Sequence, residues 1–255
     1  MNQAIVTEQD QGVLIVRLHR ADKKNALTAA MYTVMADAIE QAQQDPAVKV
    51  LLYTGSDGVF TAGNDLHDFL ENPPHGPDSP VNRFIANMVA TDVPIVAAVD
   101  GVAVGIGTTM LLHFEQVLAT HRARFSLPFI NLALVPEAGS SMLLAEACGY
   151  RKAAELLMLG EPFSAQEALE YGIVSQLCEP EELMPRALAL AHKLAAKPKD
   201  ALRATKRLLR RPGESLAQRV RAEAELFSSR LRSPEAKEAM TAFFEKRAPR
   251  FESFD

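Results

Sequence analysis

The sequence has no tryptophan, two cysteines and an aromatic content of 6%. Cys148 and Cys178 are too few and too far apart for a disulfide framework or a cysteine-based metal cluster, which fits a reduced compartment. No stretch approaches the roughly 18 uninterrupted apolar residues of a membrane span. Met1 is followed by polar residues rather than by a basic and then apolar leader, so a cytoplasmic protein is expected. Charge of one sign is lacking too: 27 Lys and Arg against 32 Asp and Glu leave a net charge of −5. That balance excludes a surface built throughout for nucleic acid or anionic membrane. Internal repeats and low-complexity segments are also missing. What is present is 255 residues, 48% hydrophobic and 23% charged, enough for one large domain with a real core, or one domain with an appendage.

The pattern along the chain is α/β. Residues 13–18 form a short apolar, β-branched run with a weaker strand near residues 4–7, and a hairpin is expected. Thr28 is a good N-cap, after which Met31, Val34, Met35, Ala38, Ile39 and Ala42 recur at helical spacing up to Asp45-Pro46. Strands follow at 48–54 and 94–99, then at 116–119, 124–126 and 173–177. Between them lie helical patterns at 81–90 and 108–114 and from about residues 139, 151 and 164, where Ser164 and Glu167 make a capping box. The stretch 72–80 holds four prolines and one glycine, and reads as a surface loop or lid. Beyond Glu179 the pattern is helical, at 181–196, 199–209, 214–231 and 234–246, punctuated by prolines. Such helices need a cover, either the body of the same chain or another subunit.

Three constellations could carry chemistry. In residues 60–66 (FTAGNDL) a glycine turn follows a strand, and the backbone of Asn64 could present an unpaired N–H; a plain strand-to-helix turn capped by Asn64 or Asp65 explains it equally. In residues 100–107 (DGVAVGIG) a buried strand runs through glycines into a helix N-terminus, where free N–H groups attract negative charge. The spacing is neither the dinucleotide fingerprint nor a P-loop, and close helix–strand packing alone would account for the glycines. In residues 132–141 (LALVPEAGSS) an acid, Glu137, sits in an apolar run just before a helix. Desolvation would raise its pKa toward that of a general base, while the helix N-terminus would hold it down. No G-x-S-x-G elbow supports a serine hydrolase. The six histidines lack zinc-site spacing. The basic stretch 197–211 reads as a solvated helix face, with contact to phosphates as the alternative.

Taken in order, KKNAL at 23–27, FTAGNDL at 60–66, PIVAAVDGVAVGIG at 94–107, FSLPFINLALVPEAGSS at 125–141 and ALEYGIVSQL at 168–177 resemble the crotonase, or enoyl-CoA hydratase/isomerase, superfamily over roughly residues 10–180. The resemblance implies a crotonase-like α/β spiral of β-β-α units over residues 1–195 and a helical C-terminal trimerisation region over 196–255. It implies an acyl-coenzyme A thioester substrate, a homotrimer or dimer of trimers, and no metal or cofactor beyond the coenzyme A of the substrate. The thioester oxygen would sit between the backbone N–H groups of Asn64 and Ile106. Lys23, Lys24, Ala26 and Ala62 would meet the adenine and phosphates, and Gly63, Asp65, Leu66, Gly105 and Phe129 complete the implied substrate-binding set. Hydratases of the family use two glutamates; the matching positions here hold Thr109 and Phe129. Glu137 instead matches the single catalytic glutamate of the peroxisomal-type Δ3,Δ2-enoyl-CoA isomerases. The implied activity is therefore isomerisation of 3-enoyl-CoA to trans-2-enoyl-CoA in fatty-acid or related acyl-CoA degradation, with Phe129, Leu132 and Leu134 excluding water. Other acyl-CoA chemistry, such as hydration, and a non-catalytic acyl-CoA-binding module are the alternatives.

Overall fold

The computed structural model describes residues 4–210 and 215–251. Strands Ile5–Asp10 (β1) and Val13–Leu18 (β2) pair antiparallel through the two-residue turn Gln11-Gly12, with φ +46° and +83°, the left-handed geometry that matches strand twist. The Thr28 hydroxyl accepts the Met31 N–H and starts helix Ala29–Gln44 (α1). Then come strand Val50–Thr54 (β3), helices Leu66–Glu71 (α2) and Pro80–Ala90 (α3), and strands Ile95–Val99 (β4) and Val102–Val104 (β5). A single helical turn, Ile106–Thr109 (α4), continues as a 3-10 turn at Met110–His113 and leads to strands Gln116–Thr120 (β6) and Arg124–Ser126 (β7). Helices Ser140–Cys148 (α5) and Tyr150–Leu159 (α6), strand Phe163–Ser164 (β8), helix Ala165–Glu170 (α7) and strand Gln176–Cys178 (β9) follow. Helices Pro180–Ala195 (α8), Lys199–Leu209 (α9), Leu216–Leu231 (α10) and Pro234–Phe244 (α11) end the described chain. The expected helix start at residue 214 lies outside the described residues.

Six strands form one sheet in the order β1-β2-β3-β4-β6-β9, parallel except for the opening hairpin; a smaller sheet is ordered β5-β7-β8. The central strands are buried on both faces, which explains their unbroken apolar runs. Alternation divides them: Val13, Ile15, Val50, Leu52, Val96 and Ala98 face α8, whose Leu183, Ala187, Ala191 and Ala195 repeat every fourth residue. Leu14, Val16, Leu51, Tyr53, Ile95 and Ala97 face the main core with α1, α3 and the smaller sheet.

Two expectations about packing are corrected. Val34 is 40% exposed, whereas Tyr32 is fully buried, so the buried face of α1 is rotated toward positions 32, 35, 36 and 39. The basic stretch, followed here to Arg210, is not simply a solvated face. Lys206 is 2% exposed and donates to Val93 O at 2.6 Å and to Glu115 at 3.0 Å. Arg207 and Arg203 reach Asp92, and Arg210 reaches Glu115. Carboxylates at the starts of β4 and β6 thus dock α9 on the body.

Candidate active site

The first glycine turn is built by cross-bracing two loops. Ala62 N–H donates to Lys24 O, Leu27 N–H to Gly63 O and Asp65 N–H to Leu27 O, each at 2.8–2.9 Å. Fully buried Asn25 donates to Val59 O at 2.7 Å, and its own carbonyl accepts from the Thr61 hydroxyl at 2.7 Å. Asp65 caps α2 by accepting from His67 N and Asp68 N, and pairs with Arg20 at 2.7 Å, an arrangement that holds its carboxyl below the usual range.

The second turn approaches the first closely enough to require glycine on both sides. A Cβ at Gly63 would lie 2.6 Å from Val104 O, and one at Gly107 would lie 2.5 Å from Thr61 Cγ2. Gly105, at φ +56°, donates its N–H to Ser126 O at 2.9 Å and turns the chain into α4. Neither the Asn64 nor the Ile106 N–H has a hydrogen-bond acceptor among the described residues. Two unsatisfied amides on facing turns are what a developing oxyanion needs.

Glu137 meets this region through Thr109, whose hydroxyl donates to Oε1 at 2.5 Å. Helix α5 begins only at Ser140, and the Ser140 N–H and hydroxyl bond the Glu137 carbonyl at 3.0 and 2.7 Å. The carboxyl, half-buried, bonds the Thr109 hydroxyl rather than a helix amide. Burial wins over the single hydrogen bond from Thr109 and pushes its pKa up to about 7.

Tyr32, absent from the sequence-derived set, donates its buried hydroxyl to the Asn64 side-chain carbonyl. Burial, then the nearby Glu137 carboxylate, raises the phenol well above its ordinary range. Its signal was available: positions 32, 35, 36 and 39 are the i, i+3, i+4, i+7 set of α1. Of the sequence-predicted residues, Asn64, Ile106, Gly63, Gly105 and Glu137 come together with Thr109. Phe129 is 7% exposed, with its ring edge 3.9 Å from where a Gly105 Cβ would stand. Ala62 and Ala26 are half-buried in the braced loops, while Lys23 and Lys24 are exposed on their rim. Asp65 is committed to Arg20 and its cap, and Leu66 is half-exposed. Leu132 and Leu134 are half-exposed in this single chain, so of the three residues expected to exclude water only Phe129 is buried here.

The sequence profile of the enoyl-CoA hydratase/isomerase family matches residues 8–254. The chain belongs to that family. This family member is 32% identical to the 1,2-epoxyphenylacetyl-CoA isomerase of Escherichia coli K12, over 98% of the chain and 99% of that protein. It is 33% identical to the 2,3-dehydroadipyl-CoA hydratase of the same strain, over 98% and 99% respectively. A solved structure from Magnetospirillum magneticum AMB-1, provisionally named for enoyl-CoA hydratase/carnithine racemase, is 43% identical, covers 99% of this chain and 100% of its own, and superposes with a TM-score of 0.95. The crotonase fold and acyl-CoA chemistry of the enoyl-CoA hydratase/isomerase class follow. The relatives include both an isomerase and a hydratase, so the finer division rests on the site. No helix among the described residues is long and apolar enough to cross a membrane.

Proposed function

We propose that the protein is a Δ3,Δ2-enoyl-CoA isomerase in which Glu137 is the only acid–base group. The supporting observation is that the half-buried Glu137 carboxyl, whose pKa burial pushes up to about 7, accepts from a threonine, Thr109, at one of the two positions, with Phe129, where the two-glutamate hydratases carry their acids. Glu137 takes a proton from C2 of a 3-enoyl thioester, and the electron pair delocalises onto the thioester oxygen. The Asn64 and Ile106 amides stabilise that oxygen without reorganising. The protonated carboxyl returns the same proton at C4, the double bond settles between C2 and C3, and the base is regenerated. Lys23 and Lys24, exposed on the rim of the first turn, are assigned to the coenzyme A phosphates. Phe129 over Gly105 limits water near the dienolate and disfavours hydration.

The test is conversion of trans-3-hexenoyl-CoA by purified protein in D2O, run beside crotonyl-CoA hydration. One sheltered carboxyl carrying one proton predicts 2-enoyl product that retains part of the transferred protium at C4, with negligible hydration. Hydration as fast as isomerisation, or no isomerisation, would sink the proposal.

The division at residues 195/196 and the assembly belong to the same proposal. Exposed Leu134, Val135 and Met158 on one region and Phe227, Phe243 and Phe244 on the C-terminal helices give the chain two distinct apolar faces. Unlike faces joined head to tail close into rings, which supports a homotrimer or a dimer of trimers. Light scattering is expected to give three or six times the 27.8 kDa chain mass; a monomer or simple dimer would overturn it.

A further inference from the structure

The turn that carries Glu137 has an unusual backbone and two separate restraints. Ala138 and Gly139 both lie in the left-handed region, φ +49° and +68°, a conformation alanine adopts only where its surroundings impose it. One restraint is local, from Ser140 to the Glu137 carbonyl. The other comes from 25 residues upstream: the His113 Nε2 lies 2.7 Å from Ala138 O. With an acceptor there, the ring carries its proton on Nε2 and donates.

His113 in turn is held from the C-terminal region. Arg210 donates to the His113 carbonyl and, at 3.1 Å, to Glu115 Oε1. Lys206 reaches the other oxygen of Glu115 at 3.0 Å, and that oxygen also accepts the Ile95 N–H at 2.8 Å. A continuous path therefore runs from the end of α9, through the backbone and ring of one histidine, to the peptide next to the proposed base.

We infer that His113 is a positioning residue, fixing the Ala138–Gly139 peptide so that the Glu137 carboxyl points at Thr109 and away from water. The inference rests on the proposed role of Glu137. The charged groups facing the imidazole are Arg210, Lys206 and Glu115, whereas the Glu137 carboxyl faces two neutral hydroxyls, those of Thr109 and Tyr32. Burial, aided by the two cations, lowers the His113 pKa, so the ring is neutral at pH 7 and its removal changes no charge near Glu137.

The test uses His113→Phe, which removes the donor, and His113→Gln, whose amide nitrogen can stand near the imidazole Nε2 position. In His113→Phe the turn relaxes, Glu137 gains water, and its pKa falls back toward the ordinary carboxylate range. The expected results are a kcat for 3-hexenoyl-CoA lower by roughly 10–100-fold with KM little changed, and an acid limb of kcat/KM moved to lower pH. The 13C-carboxyl resonance of labelled Glu137 should titrate lower by the same amount. His113→Gln restores both. Should His113→Phe fail to fold, His113→Asn, polar but too short to reach Ala138 O, carries the same expectation. A folded Phe or Asn variant with unmoved Glu137 titration, or a Gln variant as impaired as either, would overturn the inference. An active Glu137→Gln protein would instead sink the proposed base itself, whatever His113 does.

Discussion

Glu137→Gln lowers kcat for 3-enoyl-CoA isomerisation by roughly 10²–10⁴-fold, the usual worth of a positioned acid–base group, while binding of the thioester is retained. The amide keeps the shape of the carboxyl and can still accept from the Thr109 hydroxyl, so the loss reports proton transfer rather than collapse of the site. The pH dependence follows from the same group. The carboxylate is the active form, and burial places its pKa at about 7, so wild-type kcat/KM rises with pH through neutrality and levels off above it. Thr109 opposes the upward pKa shift by donating to the ionised form, so in Thr109→Val the limb moves to higher pH. Linkage gives a further readout. A carboxyl with a folded pKa above its unfolded value binds protons preferentially in the native state, so its contribution to stability falls as pH rises from about 4.5 to about 7. Glu137→Gln is then expected to melt above the wild type at pH 8, and by less at pH 5. Undiminished activity in Glu137→Gln would show that this carboxyl is not the base.

The largest expected loss of stability lies outside the pocket. Lys206→Met removes the cation from the buried contact with Glu115 and leaves Val93 O without its donor. Removing one partner of a buried pair costs about 3–5 kcal/mol; the lower end applies here, because Glu115 keeps Arg210 and the Ile95 N–H. For a chain of this size that is a fall in Tm of roughly 6–12 °C, measured by calorimetry at fixed protein concentration because the proposed assembly would couple to unfolding. Adding Glu115→Gln should not recover the loss, since Glu115 stays paired with Arg210 in the single variant and its replacement leaves that guanidinium without its carboxylate. A change below about 2 °C would mean that α9 is held by its apolar contacts instead.

Local chemistry made much of this molecule legible in its sequence. The both-face apolar runs of β3 and β4, the Thr28 cap, the Ser164–Glu167 capping box and the prolines that open α3 and α11 each act within a few residues, and the elements form where those signals stand. Glu137 was conspicuous as an acid among apolar neighbours, but the sequence left desolvation and helix dipole in balance. Burial by residues distant in the chain decides it, against the single hydrogen bond from Thr109, 28 residues earlier. Lys206, Arg207 and Arg210 carried no local mark of their partners, because Asp92 and Glu115 are roughly a hundred positions away and no spacing rule spans that distance. His113 was hidden for the same reason. Val34 fitted one helical stripe and Tyr32 another, and packing against Phe84, at 5.6 Å between ring centroids, selected the second.

The braced loops at residues 24–27 and 62–65 set a fixed gauge. Main-chain atoms, not side chains, make the three rungs between them, so the span from the lysine rim to the Asn64 amide is a property of residue count. On the proposed role of Lys23 and Lys24, exchanging either would alter how firmly a handle is gripped, whereas inserting one residue between Lys24 and Leu27 would change where the far end of that handle arrives. Grip and reach are thus separately adjustable, and a lineage of such chains can retune affinity through point changes while leaving the measure itself untouched.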